Sequence, residues 1–188
     1  MEPLERAEKV HKEADEVMWL VGLREILAPY GEVTLCGSYF LDVMVYPDID
    51  LYIPPVSIAQ LFDIGAQLAK SELVKQVIFE KDSAVLPGGL YLKPKIDYGA
   101  WGRPWKIDIW SLEQSVIDQK MSELQHFKAQ MSPELRKQIL TYKCAIINGL
   151  GRTPMYSGYF IYKAFIDEGM TDFQDVTGYL LAHGIEMG

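Results

Sequence analysis

The stretch "LCGSYFLDVMVYPDIDLYIP", Leu35 to Pro54, decides how the chain is read. It holds a Gly-Ser pair, Gly37-Ser38, an almost uncharged middle, and then Asp48-Ile49-Asp50 at the start of an apolar run. Strand side chains alternate between faces. In Asp48–Ile53, Ile49, Leu51 and Ile53 therefore share one face, and Asp48, Asp50 and Tyr52 the other. The apolar set can pack on helices while both carboxylates point the opposite way, about 7 Å apart at the backbone. Two carboxylates that close repel unless something neutralises them. A divalent cation does so, and Mg²⁺ takes oxygen ligands.

A third acid has the same setting. In Trp105-Lys106-Ile107-Asp108-Ile109-Trp110 the isoleucines share one face and Asp108 lies on the other. An acid between isoleucines in a central strand calls for a partner. If this strand lies beside the first, three carboxylates converge, enough to hold two metals. Gly37 permits close backbone approach. Ser38 is positioned to cap a following helix, whose free N–H groups would favour phosphate.

Around these residues the chain alternates apolar runs with breakers. A helix is expected over residues 4–28, ended by Pro29-Tyr30-Gly31. A short strand over 33–36, two helical turns over 39–45, a strand over 48–53 and a helix over 56–70 follow. Strands are expected at 74–79, 90–96 and 105–110, with a turn in Val85–Leu92 and another over 99–104. From Ser111 the texture is helical: 113–129, a helix after Ser132-Pro133 ending near Asn148-Gly149, 156–169 and 173–183. The order predicts an α+β fold, a mixed sheet flanked by helices, with a catalytic core over 1–112 and an all-helical C-terminal region over 113–188.

Composition bounds the function. Of 188 residues 49% are apolar and 23% charged, ordinary for a globular chain. The apolar run Val17–Leu23 is too short for a bilayer, so no membrane partner is expected. The start lacks the basic and apolar regions of a signal peptide, and Cys36 and Cys144 have no metal-ligand spacing, which reads as a cytoplasmic protein with free thiols. The formal charge of −8 argues against a large nucleic-acid footprint without excluding one, and is compatible with a nucleotide held through metal.

Gly37-Ser38, Asp48-Ile49-Asp50 and Ile107-Asp108-Ile109, in that order and on those elements, resemble the polymerase-beta-like nucleotidyltransferase superfamily, over roughly residues 15–112. Within it the chain is similar to small bacterial antibiotic-type or uncharacterised members. The resemblance implies two Mg²⁺ ions, with Mn²⁺ an accepted substitute, held by Asp48, Asp50 and Asp108. It implies a nucleoside triphosphate, with ATP the expected donor, bound against Gly37-Ser38. An acceptor hydroxyl would attack the α-phosphate in line and expel pyrophosphate, with Asp108 accepting its proton.

Many relatives carry Arg or Lys between the Gly-Ser pair and the acids, and residues 39–47 here hold neither. Lys143, in "ILTYKCAII", is the first candidate to meet the triphosphate, with Arg136 and Lys137 two turns earlier. The expected activity is transfer of a nucleoside monophosphate to a small hydroxylated molecule. The alternatives are a toxin-type enzyme acting on tRNA or protein, and a nucleotide-binding module without turnover. Trp101, Trp105 and Trp110 read as hairpin and sheet cover rather than a base platform. Arg103 and Lys106 read as solvated turn charges, Tyr156, Tyr159 and Tyr162 as core, and His11, His126 and His183 as residues without evident partners.

Overall fold

A computed structural model of the chain describes residues 1–81 and 88–187. Its centre is a five-stranded sheet: β1 (Thr34–Leu35), β2 (Asp48–Ile53), β3 (Val74–Lys81), β4 (Leu90–Ile96) and β5 (Trp105–Ser111), in the order β1-β2-β5-β4-β3. Strands β2 and β5 run parallel and the other neighbours antiparallel. Helices α1 (Pro3–Leu20), α2 (Leu23–Leu27) and α4 (Ile58–Leu68) share an apolar core with one face of this sheet. Ile49, Leu51, Ile53, Ile107 and Ile109 are completely buried there. Each such side chain contributes about 1.5–3 kcal/mol on leaving water. The alternation predicted for both central strands is thus realised, and it leaves Asp48, Asp50 and Asp108 on the opposite face.

Four helices follow: α5 (Gln114–Gln130), α6 (Pro133–Ala145), α7 (Ser157–Ile166) and α8 (Phe173–Ala182). Ser132 caps α6 by accepting from the Leu135 N–H at 3.1 Å, with Pro133 in the first turn. Their buried residues, among them Phe127, Leu140, Tyr162, Phe165 and Leu180, form a second apolar cluster. The mixed sheet flanked by helices is the α+β architecture expected. No helix among the described residues is long and apolar enough to cross a membrane. The turn expected in Val85–Leu92 falls mostly on residues 82–87, outside the described ones.

Two segments differ from expectation. The first helix divides: α1 ends at Leu20 and Gly22 adopts a left-handed φ of 64°, from which α2 starts afresh. The second difference is larger. The helix α3 is a single turn, Gly37–Phe40, preceded by Cys36 with no side-chain cap, so Ser38 lies within the turn and does not cap it. Asp42 then adopts φ 58° and the chain runs without regular structure through Val45.

The physical reason is that this segment threads between the two cores. Met44 packs into the sheet core, whereas Leu41, Val43 and Val45 pack into the helical one, all at most 1% exposed. An apolar run buried on both sides mimics a helix in sequence. Its carbonyls, freed from a helical ladder, are met by four basic side chains from elsewhere. Lys128 Nζ donates to Phe40 O (2.9 Å), Arg136 Nε to Asp42 O (2.8 Å), Lys143 Nζ to Val43 O (2.6 Å) and Arg6 Nε to Val45 O (2.5 Å). Arg136 also pairs with the Asp42 carboxylate at 3.0 Å. Buried carbonyls left unpaired would cost about 1–3 kcal/mol each.

Candidate functional site

The parallel register of β2 and β5 builds the site. Asp50 lies beside Asp108, and Asp48 beside Lys106. One carboxylate oxygen from each of Asp48, Asp50 and Asp108 lies within 4.8 Å of the other two. Asp48 and Asp108 are 8% exposed. Lys106 reaches between them. Its Nζ donates to Asp108 Oδ2 at 2.6 Å and lies 2.9 Å from Asp48 Oδ1. That second contact is an ion pair off hydrogen-bonding direction, so the buried Asp48 Oδ1 has no hydrogen-bond donor among the described residues. Tyr91, on β4, donates its hydroxyl to Asp108 Oδ1 at 2.7 Å and packs at a tilt against Trp110 with ring centroids 4.3 Å apart.

The electrostatics follow from this crowding. Burial pushes the Asp50 carboxyl well above the usual range, and Asp48 and Asp108 push the same way. Burial also raises Asp48, against the pull of Lys106. Burial alone would lower Lys106, but Asp48, Asp108 and Asp50 outweigh it and hold the ammonium charged. Three clustered oxygen donors, one buried oxygen without a donor, and carboxylates whose charge is disfavoured fit a hard divalent cation.

Gly37 fits against this cluster as only glycine can. A Cβ there would sit 2.6 Å from Asp50 Oδ2, and its φ is 57°. The backbone is tied in place by the Cys36 N–H, which donates to Asp50 O at 2.9 Å. The first bond returning into the α3 turn is Phe40 N–H to Cys36 O, so the amides of Gly37, Ser38 and Tyr39 have no acceptor within it. A single turn carries no sizeable helix dipole, and any phosphate contact here rests on local N–H groups and the hydroxyl.

Gly37, Ser38 and the three acids line a cleft of about 540 Å³. The tail forms its opposite wall, with Phe127, Arg152, Met155, Tyr156, Tyr159, Tyr162 and Lys143. Lys143 is 2% exposed, and besides Val43 O it donates to the Tyr162 hydroxyl at 3.2 Å. Burial lowers its pKa to about 8, against the attraction of Asp48 and Asp50. Of the tyrosines, Tyr162 is buried, while Tyr156 and Tyr159 are exposed on the cleft. Trp105, expected as hairpin and sheet cover, is completely buried in the sheet core. Trp101 packs under Arg6 and Lys9 and donates to Glu13, and Trp110 lines the cleft. His11 lies 3.4 Å from Asp42, and His126 2.8 Å from Asp167.

Lys106 is the site residue that sequence reasoning misplaced. Its side chain is 17% exposed and anchored among the acids, not solvated in a turn. The signal was available: Lys106 and Asp108 are two apart on one strand and must share a face. Tyr91 could not be found this way, because its approach to Asp108 depends on the pairing of β4 with β5.

No family model matches the sequence, and no curated protein matches it. Similarity appears at the level of structure. Cid1 poly(U) polymerase, in a crystal structure bound to MgATP, superposes with a TM-score of 0.51 at 17% identity, over 75% of this chain and 45% of that one. GLD-2, from its complex with RNP-8, gives a TM-score of 0.53 at 13% identity, over 90% of this chain and 62% of that one. The chain shares the fold of these two structures. The chain spans about half the length of the first neighbour and less than two thirds of the second. The three clustered acids lie on the adjacent central strands β2 and β5 of this fold.

Proposed function

We propose that the protein is a metal-dependent nucleotidyltransferase that moves a nucleoside monophosphate from a nucleoside triphosphate, with ATP the expected donor, to the hydroxyl of a small molecule. The observation that carries this reading is the convergence of Asp48, Asp50 and Asp108 within 4.8 Å at the base of a cleft in this fold. These three would hold Mg²⁺ or Mn²⁺, which when bound neutralises phosphate charge and makes the acceptor hydroxyl more acidic. Gly37 and Ser38 offer N–H groups and a hydroxyl to the phosphates. The acceptor oxygen attacks the α-phosphorus, the bond to the bridging oxygen breaks, and pyrophosphate leaves with that electron pair. Asp108 takes the hydroxyl proton, for which Tyr91 or Lys106 must yield one of its oxygens. Lys143 is the cation proposed to meet the triphosphate from the tail side, the helical region from residue 113 onward providing the acceptor wall.

The formal charge of −8 and a cleft of about 540 Å³ with aromatic walls favour a small acceptor over a long nucleic acid. The free thiols of Cys36 and Cys144 suit a cytoplasmic setting. A second reading, transfer to an RNA end, is favoured by the similarity to a poly(U) polymerase. Incubation with α-labelled nucleoside triphosphates and Mg²⁺, against small hydroxylated compounds, total tRNA and cell extract, separates them. Label on a small molecule is the expected result, and label on tRNA alone selects the second reading. Absence of metal-dependent nucleotide binding by calorimetry would sink both.

A further inference from the structure

Lys106 has a placement that the proposed transfer does not require. It is bound to two of the three carboxylates at once, 2.6 Å from Asp108 Oδ2 and 2.9 Å from Asp48 Oδ1. The strand register dictates this. Asp48 is the lateral neighbour of Lys106 across β2 and β5, and Asp108 is its neighbour two residues along the same face. The lysine stem is packed, with the side chain 17% exposed, so the ammonium is held among the acids and not sampling solvent. On the far side, Lys95 of β4 is registered with Lys106, which gives that face a second cation beside it.

We infer that Lys106 is a resident counter-ion of the carboxylate cluster, which keeps the acids closed to a free divalent ion and yields when the ion arrives with a nucleotide triphosphate. The inference rests on the metal-dependent reading above. Its physical content is a competition. Two positive charges cannot share Asp48 and Asp108 at these distances without repulsion. A free ion gains the acids but must displace the ammonium from both of its carboxylate partners. An ion accompanied by a triphosphate brings negative charge that receives the displaced ammonium. The cluster thereby answers the absence of basic residues between Ser38 and Asp48: the needed cation is stored on β5 and is released to the phosphates by the ion it has been replacing.

The test measures Mn²⁺ affinity without nucleotide, by electron paramagnetic resonance or calorimetry, in the wild type, Lys106→Met, Lys106→Gln and Lys106→Arg. Removing the ammonium is expected to tighten free Mn²⁺ binding by at least about tenfold in the Met and Gln variants, while Arg keeps the wild-type weakness. Asp50→Asn in the Lys106→Met background should abolish the gain. Unchanged or weaker Mn²⁺ binding in folded Lys106→Met overturns the inference. If the wild type still binds a Mn²⁺-loaded non-hydrolysable ATP analogue, the nucleotidyltransferase reading stands without it. If neither protein binds the ion or the loaded analogue, that reading fails first. Should neither neutral variant fold, the wild type answers through amine labelling of Lys106 read by mass spectrometry. Labelling is expected to change with Mg²⁺ plus the analogue and to stay constant with Mg²⁺ alone, and a change with Mg²⁺ alone overturns the inference.

Discussion

Asp50 carries its charge into surroundings that favour the neutral acid, because burial, Asp48 and Asp108 all oppose ionisation. A carboxyl whose folded pKa is raised binds more protons in the native than in the unfolded state between the two pKa values, so its contribution to stability falls as pH rises through that window. At neutral pH the ionised form is therefore a cost to the metal-free fold. Asp50→Asn is expected to abolish transfer, a loss of roughly a thousandfold or more, while raising the melting temperature of the metal-free protein by a few degrees in a thermal scan at pH 7. Lys143 supplies a pH signature of opposite character. Burial lowers its pKa to about 8, so its charge fades as pH rises through that value. Nucleotide affinity by calorimetry should weaken above about pH 8, and Lys143→Met should both weaken it and flatten the profile. At this scale the three acids were legible from alternation alone. Lys106 was equally legible by that rule, yet as a lone lysine after a Gly-Pro turn it looked like a surface charge.

Strands β2, β4 and β5 came out of the sequence nearly to the residue, because apolar and polar residues alternate along much of each and breakers bound them. The α3 turn did not. Leu41, Val43, Met44 and Val45 are buried on both sides, and nothing in such a run distinguishes a helix from an extended strap. The turn's position against β2 depends on Gly37, whose hypothetical Cβ lies 2.6 Å from Asp50 Oδ2. Gly37→Ala should leave the circular dichroism spectrum intact while displacing the Asp50 carboxylate, with metal–nucleotide affinity falling by about tenfold or more. Ser111, at the end of β5, ties the exit of β2 to the start of the next segment. Its buried hydroxyl accepts from the Val56 N–H at 2.9 Å and donates to Pro54 O at 3.2 Å. Ser111→Ala leaves both backbone groups unpaired, a cost of about 1–3 kcal/mol. That cost should appear as a lowered denaturation midpoint with an unchanged slope in urea.

For the whole molecule, the sequence announced a mixed sheet followed by helices but was silent on how the two meet. That information lies in pairings between distant residues, which periodicity does not record. The helical cluster includes Leu41, Val43 and Val45 from the first half of the chain, and Ala7 from α1. A fragment ending at residue 112 would leave those residues facing water and the carbonyls of Phe40, Asp42 and Val43 without their partners on α5 and α6. Such a fragment is expected to bind a hydrophobic dye and to melt without cooperativity, whereas the full chain melts in one transition. Independent two-state unfolding of 1–112 would show instead that the sheet half stands alone.

The strap from Phe40 to Val45 also bears on the order in which the protein acquires its shape. Its carbonyls wait for Lys128, Arg136 and Lys143, which lie 88, 94 and 100 residues further along the chain. Contacts of such separation close late and raise the topological barrier to folding. On the ribosome this strap emerges long before its partners, with Leu41, Val43 and Val45 uncovered in the interval, a natural stopping point for a chaperone. The Gly37 turn, directly joined to the strap, cannot settle until α6 has been made. Synthesis thus withholds the formed cleft until most of the chain exists.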